Sequence, residues 1–207
     1  MPGPWVVALA IAGPVAVAAA WLLVRAGRAT VWSAMGLTLG ALGALALTTG
    51  QPSIGPSPWL DLIGGVLAGV ALYAATAAFL AVTGRWRPLA RDARELYGRR
   101  RGVGLEQALV VSVGITAPGE ELLWRGVVLG ALGSAFSPWT AGLLTWAAYV
   151  LANAVSGSLP ILLGAIVGGA AWTGLAVWTG GVVASIACHG VWTALMIVFP
   201  PIAGARR

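Results

Sequence analysis

The stretch Ala108–Leu132, ALVVSVGITAPGEELLWRGVVLGAL, decides the reading of the chain. It is apolar and long enough to cross a hydrocarbon core of ~30 Å as a helix. Yet it carries Glu120, Glu121 and Arg125, where a lipid-embedded helix should carry no charge. A charge at that depth costs several kcal/mol, so it marks a functional site by default. On a helix Glu121 and Arg125 stand at i,i+4 with the acid N-terminal, the favoured order for an ion pair. Glu120 is turned about 100° away and stays free to act. Just upstream, Pro118 lacks a backbone N–H and Gly119 loosens the helix, which is how a polar site is opened in a membrane segment.

The rest of the chain agrees with a membrane setting. Of 207 residues, 59% are hydrophobic and 9% charged, with eleven Trp and a mean hydropathy of +0.90. These values define a polytopic membrane protein and exclude a soluble domain. Every basic residue behind the net charge of +6 is an arginine, and all but Arg125 lie outside the apolar segments, so the charge reads as a topology signal rather than a nucleic-acid surface. The single Cys188 excludes an internal disulfide and any Cys-based zinc site, and is expected to be a small core residue. The N-terminal apolar run has no basic residue before it, while Arg25 and Arg28 follow it. It therefore reads as a first transmembrane helix, although Ala18, Ala19 and Ala20 resemble a cleavage site.

Segments able to span fall at about 4–24, 30–49, 59–83, 105–132, 138–155, 158–178 and 181–199, near the ~20-residue requirement. The expected fold is all-α: a polytopic transmembrane helical bundle of about seven spans. With the N-terminus outside, the loop holding Arg25 and Arg28, the loop Gly84–Gly102 with its seven arginines, and the tail with Arg206 and Arg207 share one side. Eleven of the twelve arginines are then cytoplasmic, and the exception is Arg125. Within the basic loop, Arg91, Arg94 and Glu95 with Leu89 and Leu96 can make a short amphipathic surface helix, but a solvated loop is the favoured expectation. The spacings Gly36–Gly40, Gly65–Gly69, Gly126–Gly130 and Gly164–Gly168 allow close helix approach. Trp5, Trp59 and Trp139 suit interfacial belts, whereas Trp146 and Trp172 fall mid-span as packing residues. The chain shows no Gly-rich phosphate loop, dinucleotide fingerprint or long soluble domain.

Few other polar side chains fall in the spans. Asn153 lies late in the fifth, and His189 and Thr193 share a face of the seventh at i,i+4. A lone His in an apolar helix is ordinarily a packed, hydrogen-bonded residue; the carboxylates tilt this one toward function. At about 1.5 Å per residue, Glu120 lies ~18 Å from the cytoplasmic entry and His189 at nearly the same level, so the two can meet. Asn153 comes out roughly 8 Å nearer the cytoplasm on the same arithmetic.

Glu120-Glu121-Leu122-Leu123-Trp124-Arg125 resembles the EExxxR first motif of the CAAX-protease and bacteriocin-processing family (CPBP, also called Abi) of intramembrane proteases, which includes Rce1-type prenyl-protein endopeptidases. Ala117-Pro118-Gly119 before the motif and Gly126 after it are also similar. The resemblance covers about residues 104–199. Tyr149-Val150-Leu151-Ala152-Asn153 stands where the family has FxxxH, with Tyr for Phe and Asn for His. His189-Gly190-Val191-Trp192-Thr193 stands where the family has a His followed four residues later by Asn or Asp.

The segments and arginines divide the chain into three N-terminal transmembrane helices with the basic cytoplasmic loop over 1–103, four spans over 104–199 that resemble the family's protease core, and a short cytoplasmic tail over 200–207. The resemblance implies peptide hydrolysis with Glu120 as the water-activating base and Asn153 at the site of the His that shares that work. His189 and Thr193 match the oxyanion-stabilising pair, and Glu121 and Arg125 positions of structural support. Members of the family are often labelled metalloproteases, but one His, two adjacent Glu and an Asn make a poor zinc set, so a metal-free site without cofactor is expected. The expected partners are a peptide or membrane-protein substrate and the lipid bilayer, with no nucleic acid, in a bacterial-type plasma membrane. Two rivals remain: a catalytically impaired pseudo-protease that binds or regulates a membrane partner, and a small proton-coupled transporter using Glu120.

Overall fold

In lipid, a chain must satisfy its backbone polar groups internally, and apolar runs broken by Gly, Pro and short polar turns do so as helices. The computed structural model describes residues 1–83, 87–98 and 103–201. Every regular element among them is a helix, apart from an isolated antiparallel bridge between Ile54 and Gly181. The order is α1 Pro4–Arg25, α2 Val31–Leu47, α3 Pro58–Thr83, α4 Arg87–Gly98, a long helix α5 over 105–133, α6 Pro138–Ala154, α7 Leu159–Thr179 and α8 Val183–Val198. Among the described residues, α1, α3 and α7 are long and apolar enough to cross a membrane, and α2 and α8 are shorter apolar helices.

Local signals mark the helix ends. Thr30 and Ser137 cap α2 and α6 by accepting from the backbone N–H of Ser33 and Thr140. Gly180 closes α7 at φ 68°, a left-handed conformation that glycine adopts without a steric penalty. Beyond it, Val182 N–H donates to the Ser53 carbonyl at 2.8 Å, pinning the 51–57 loop over the α7–α8 turn.

Missing side chains set how closely the helices pack. Along α3, a Cβ on Gly65 would lie 2.8 Å from the Ala187 methyl, and one on Gly69 2.7 Å from the Cys188 carbonyl oxygen, so α3 and α8 touch backbone to backbone. Helix α2 crosses α5 at Gly43 and Gly119, where a Cβ on Gly43 would stand 2.7 Å from the Gly119 Cα. Gly126 and Gly130 face Pro52 and Gln51 of the loop instead of another helix. Leu39, Val17, Leu123, Trp124 and Val127 fill the centre, while Trp5, Trp59 and Trp139 are exposed. Cys188 is a buried free thiol in the core.

Helix α4 differs from the favoured expectation of a loop. Leu89 and Ala93, four residues apart on one face, are buried, and α4 packs on α7. Arg91, Arg94 and Glu95 are exposed. Covering that apolar stripe is what makes the segment helical. Arg85, Arg99, Arg100, Arg101, Arg206 and Arg207, with the side chains of Arg87 and Leu96, lie outside the described residues.

Candidate active site

The charged trio is presented by an irregular part of α5. Its α-helical turns Leu105–Leu109, Ala117–Glu121 and Leu129–Gly133 alternate with π-helical stretches Val110–Thr116 and Leu122–Val128. Ala117 N–H reaches back five residues to the Ser112 carbonyl, and Leu129 N–H reaches Trp124 in the same way. Pro118, without an N–H, sits between the two wide stretches. Such π turns inside a helix recur at functional sites because they re-aim side chains that a regular helix would stagger. Here Glu120, Glu121 and Arg125 are all buried.

Glu121 is the hub of the arrangement. Its Oε1 accepts from Arg125 Nη1 at 3.0 Å and faces His189 Nδ1 at 2.8 Å. Arg125 also donates from Nε to Thr173 Oγ1 at 3.2 Å and from Nη2 to the Gly169 carbonyl at 3.1 Å, so one guanidinium ties α5 to α7. Its planar group lies 4.7 Å from the Tyr149 ring centroid and 5.6 Å from that of Trp172, stacking that a lysine could not reproduce.

A carboxylate paired with arginine can only accept, so Nδ1 of His189 carries a proton and the ring is held in one orientation. Trp172 fixes the ring plane by stacking on it, with centroids 3.6 Å apart and planes 13° apart. Nε2 is thereby turned toward Glu120, 3.9 Å from its Oε2. On its other side the same Oε2 accepts from the Tyr149 hydroxyl at 2.9 Å. Glu120 Oε1 has no hydrogen bond among the described residues.

The structure thus brings Glu120, Glu121, Arg125 and His189 together, whereas Asn153 and Thr193 make no hydrogen bond to any of the four among the described residues. Asn153 Oδ1 accepts from Trp21 Nε1 at 3.0 Å, and Nδ2 donates to the Tyr149 carbonyl at 3.0 Å. Both ends of the amide are thereby spent on docking α1 and on its own helix. Thr193 is half-buried and has no side-chain hydrogen bond among the described residues. Tyr149 occupies the place beside Glu120. Its one sequence signal is a hydroxyl in an apolar span, which must find a partner when buried. Trp172, Thr173 and Gly169 also belong to the site, and nothing in their sequence context sets them apart from packing residues.

The donor set does not fit a metal. The two carboxylates address opposite nitrogens of His189, and the ring atom facing Glu121 carries a proton. Among the described residues, no three His, Cys, Asp or Glu side chains converge as a bound ion requires. A cavity of about 280 Å³ opens between the 51–53 loop, α5 and the α7–α8 turn, and it reaches Arg125 rather than Glu120.

The described helices, three of them long and apolar enough to cross a membrane, thus enclose a buried carboxylate, an oriented imidazole and a clamped arginine. Residues 105–195 match the family described as Rce1-like, Type II CAAX prenyl endopeptidase, a segment that runs from α5 into α8. Over that segment the chain is similar to a CAAX-type membrane protease. No curated protein and no solved structure matches the chain.

Proposed function

We propose that the protein is an intramembrane endopeptidase with Glu120 as the base that activates water. The observation that carries this reading is the buried Glu120 carboxylate with an oriented His189 Nε2 3.9 Å away, inside the segment that matches the endopeptidase family. A water on Glu120 Oε1 gives up a proton to it as the water oxygen bonds to the scissile carbonyl carbon. The carbonyl oxygen takes the negative charge and receives a hydrogen bond from Nε2–H of His189, whose ring Glu121 holds through Nδ1. Thr193, one turn along α8, is the second donor. When the tetrahedral intermediate collapses, the C–N bond breaks and the leaving amine takes the proton from Glu120. A general base contributes about 10²- to 10⁴-fold, and an oxyanion donor about 3–4 kcal/mol.

The same proposal has seven spans with the N-terminus outside, which puts the basic loop and the C-terminus in the cytoplasm. Its substrates are peptide bonds near the membrane: prenylated C-termini, bacteriocin-like peptides or membrane-protein segments. Incubating purified protein in lipid with a quenched peptide library tests it, with cleavage expected from wild type and none from Glu120→Ala.

One observation favours a second reading. With both ends of the Asn153 amide engaged, no second imidazole stands beside Glu120. A pseudo-protease that binds a membrane partner would look the same, and it would be inert in the library assay.

A further inference from the structure

We propose that Tyr149 is a positioning residue for Glu120, doing from one turn earlier on α6 the part of the work that Asn153, at the motif's His position, does not do. The inference rests on the protease reading and deepens it. The phenol donates to Glu120 Oε2 at 2.9 Å, and His189 Nε2 stands 3.9 Å from that same oxygen. One oxygen of the base is therefore held and the other, Oε1, is left to take the proton of water. A carboxylate on a flexible side chain loses rotamer freedom when it is anchored in this way, and this is freedom it would otherwise lose at the transition state.

The phenol is itself held on every side. Trp124 meets the Tyr149 ring edge-on at 5.3 Å and Trp172 at 6.3 Å, while the Arg125 guanidinium covers a face at 4.7 Å. Against the ring lies Gly169, where a Cβ would come within 2.8 Å of Tyr149 Cδ1. Any larger residue at 169 would push the ring. The backbone carbonyl of Tyr149 is held by Asn153 Nδ2, and Asn153 is fixed by Trp21. The Tyr-for-Phe and Asn-for-His exchanges within one turn thus work as a linked pair: the Asn props the turn, and the Tyr brings the hydroxyl. A phenylalanine at 149 would fill the same space and leave Glu120 Oε2 without its donor.

The test is steady-state kinetics on a peptide that wild type cleaves, with folded protein quantified by size-exclusion chromatography and thermal melting. Tyr149→Phe is expected to lower kcat roughly 10- to 100-fold. KM should stay within about a factor of two, because the lost contact acts on the base and not on the substrate. Gly169→Ala, which keeps the hydroxyl but displaces the ring, should lower kcat in the same direction. It decides the question if Tyr149→Phe does not fold. A folded Tyr149→Phe with wild-type kcat, or Gly169→Ala with wild-type kcat where Tyr149→Phe does not fold, overturns the inference. If Glu120→Gln is inert in that experiment, the protease reading stands without it. A wild type inert toward every peptide overturns both.

Discussion

Removing the Arg125 side chain should cost more stability than any other single truncation at the site. In Arg125→Ala, Glu121 loses its cationic partner on α5, Thr173 loses a donor, and the Gly169 carbonyl loses the N–H that reaches it. Both side chains of the ion pair are fully buried, so water does not screen the charge that is left. Breaking a buried pair by deleting one partner costs about 3–5 kcal/mol. An orphaned buried acceptor adds about 1–3 kcal/mol, but the terms overlap because water entering the gap repays part of each. We take about 4 kcal/mol as the net effect. For a chain of this size that corresponds to a melting temperature lower by on the order of 10 °C. Thermal unfolding in detergent, followed by retention of the monodisperse peak, measures it. Glu121→Gln added to Arg125→Ala removes the stranded charge, so the double variant should melt several degrees above the single one. The reasoning fails if Arg125→Ala melts within about 2 °C of wild type, or if the double variant is no more stable than the single.

Asn153→Ala should strand Trp21 Nε1, at a cost of about 1–3 kcal/mol in thermal stability, and should lower kcat per folded molecule in the same direction as Tyr149→Phe, because the Tyr149 turn loses its prop. Gly119→Ala should abolish accumulation of folded protein, because the new methyl falls on the Leu39 carbonyl where α2 crosses α5; recovery of the membrane fraction reads this directly. Peptide cleavage should survive strong chelators unchanged, since the proposed steps use only side chains, and loss of activity restored by a divalent ion would contradict that. Reporter fusions after Gly98 and Arg207 should both signal the cytoplasm; an extracytoplasmic signal at either would contradict the seven-span proposal.

Much of the site's geometry could be read from spacing alone. The Glu121–Arg125 pair follows from i,i+4, and the level of His189 opposite Glu120 follows from counting residues into the bilayer. The same arithmetic puts Asn153 roughly 8 Å off that level. Tyr149, four residues back and about one turn away, is the side chain that meets Glu120. Motif matching pairs residues by type, whereas the contact is decided by depth, and a tyrosine in place of phenylalanine reads as one more packing ring. The stack of Trp172 on His189 was not legible, because a mid-span tryptophan has the same sequence context whether it packs on leucine or on imidazole. Pro118 and Gly119 signalled a disturbed helix, but not that the disturbance becomes π-helical turns on both sides of the carboxylates. Helix α4 was legible only as an alternative, since the burial of Leu89 and Ala93 depends on the surface of α7.

The central claim is that Glu120 makes water attack a peptide bond inside the membrane. The direct measurement is cleavage of a membrane-anchored peptide by purified protein in lipid and heavy-oxygen water, with products read by mass spectrometry for wild type and Glu120→Gln. The account predicts that wild type yields a fragment whose new C-terminal carboxylate carries the heavy oxygen, and that equal amounts of folded Glu120→Gln yield none. Cleavage by Glu120→Gln at the wild-type rate, or no cleavage by either protein, would contradict it.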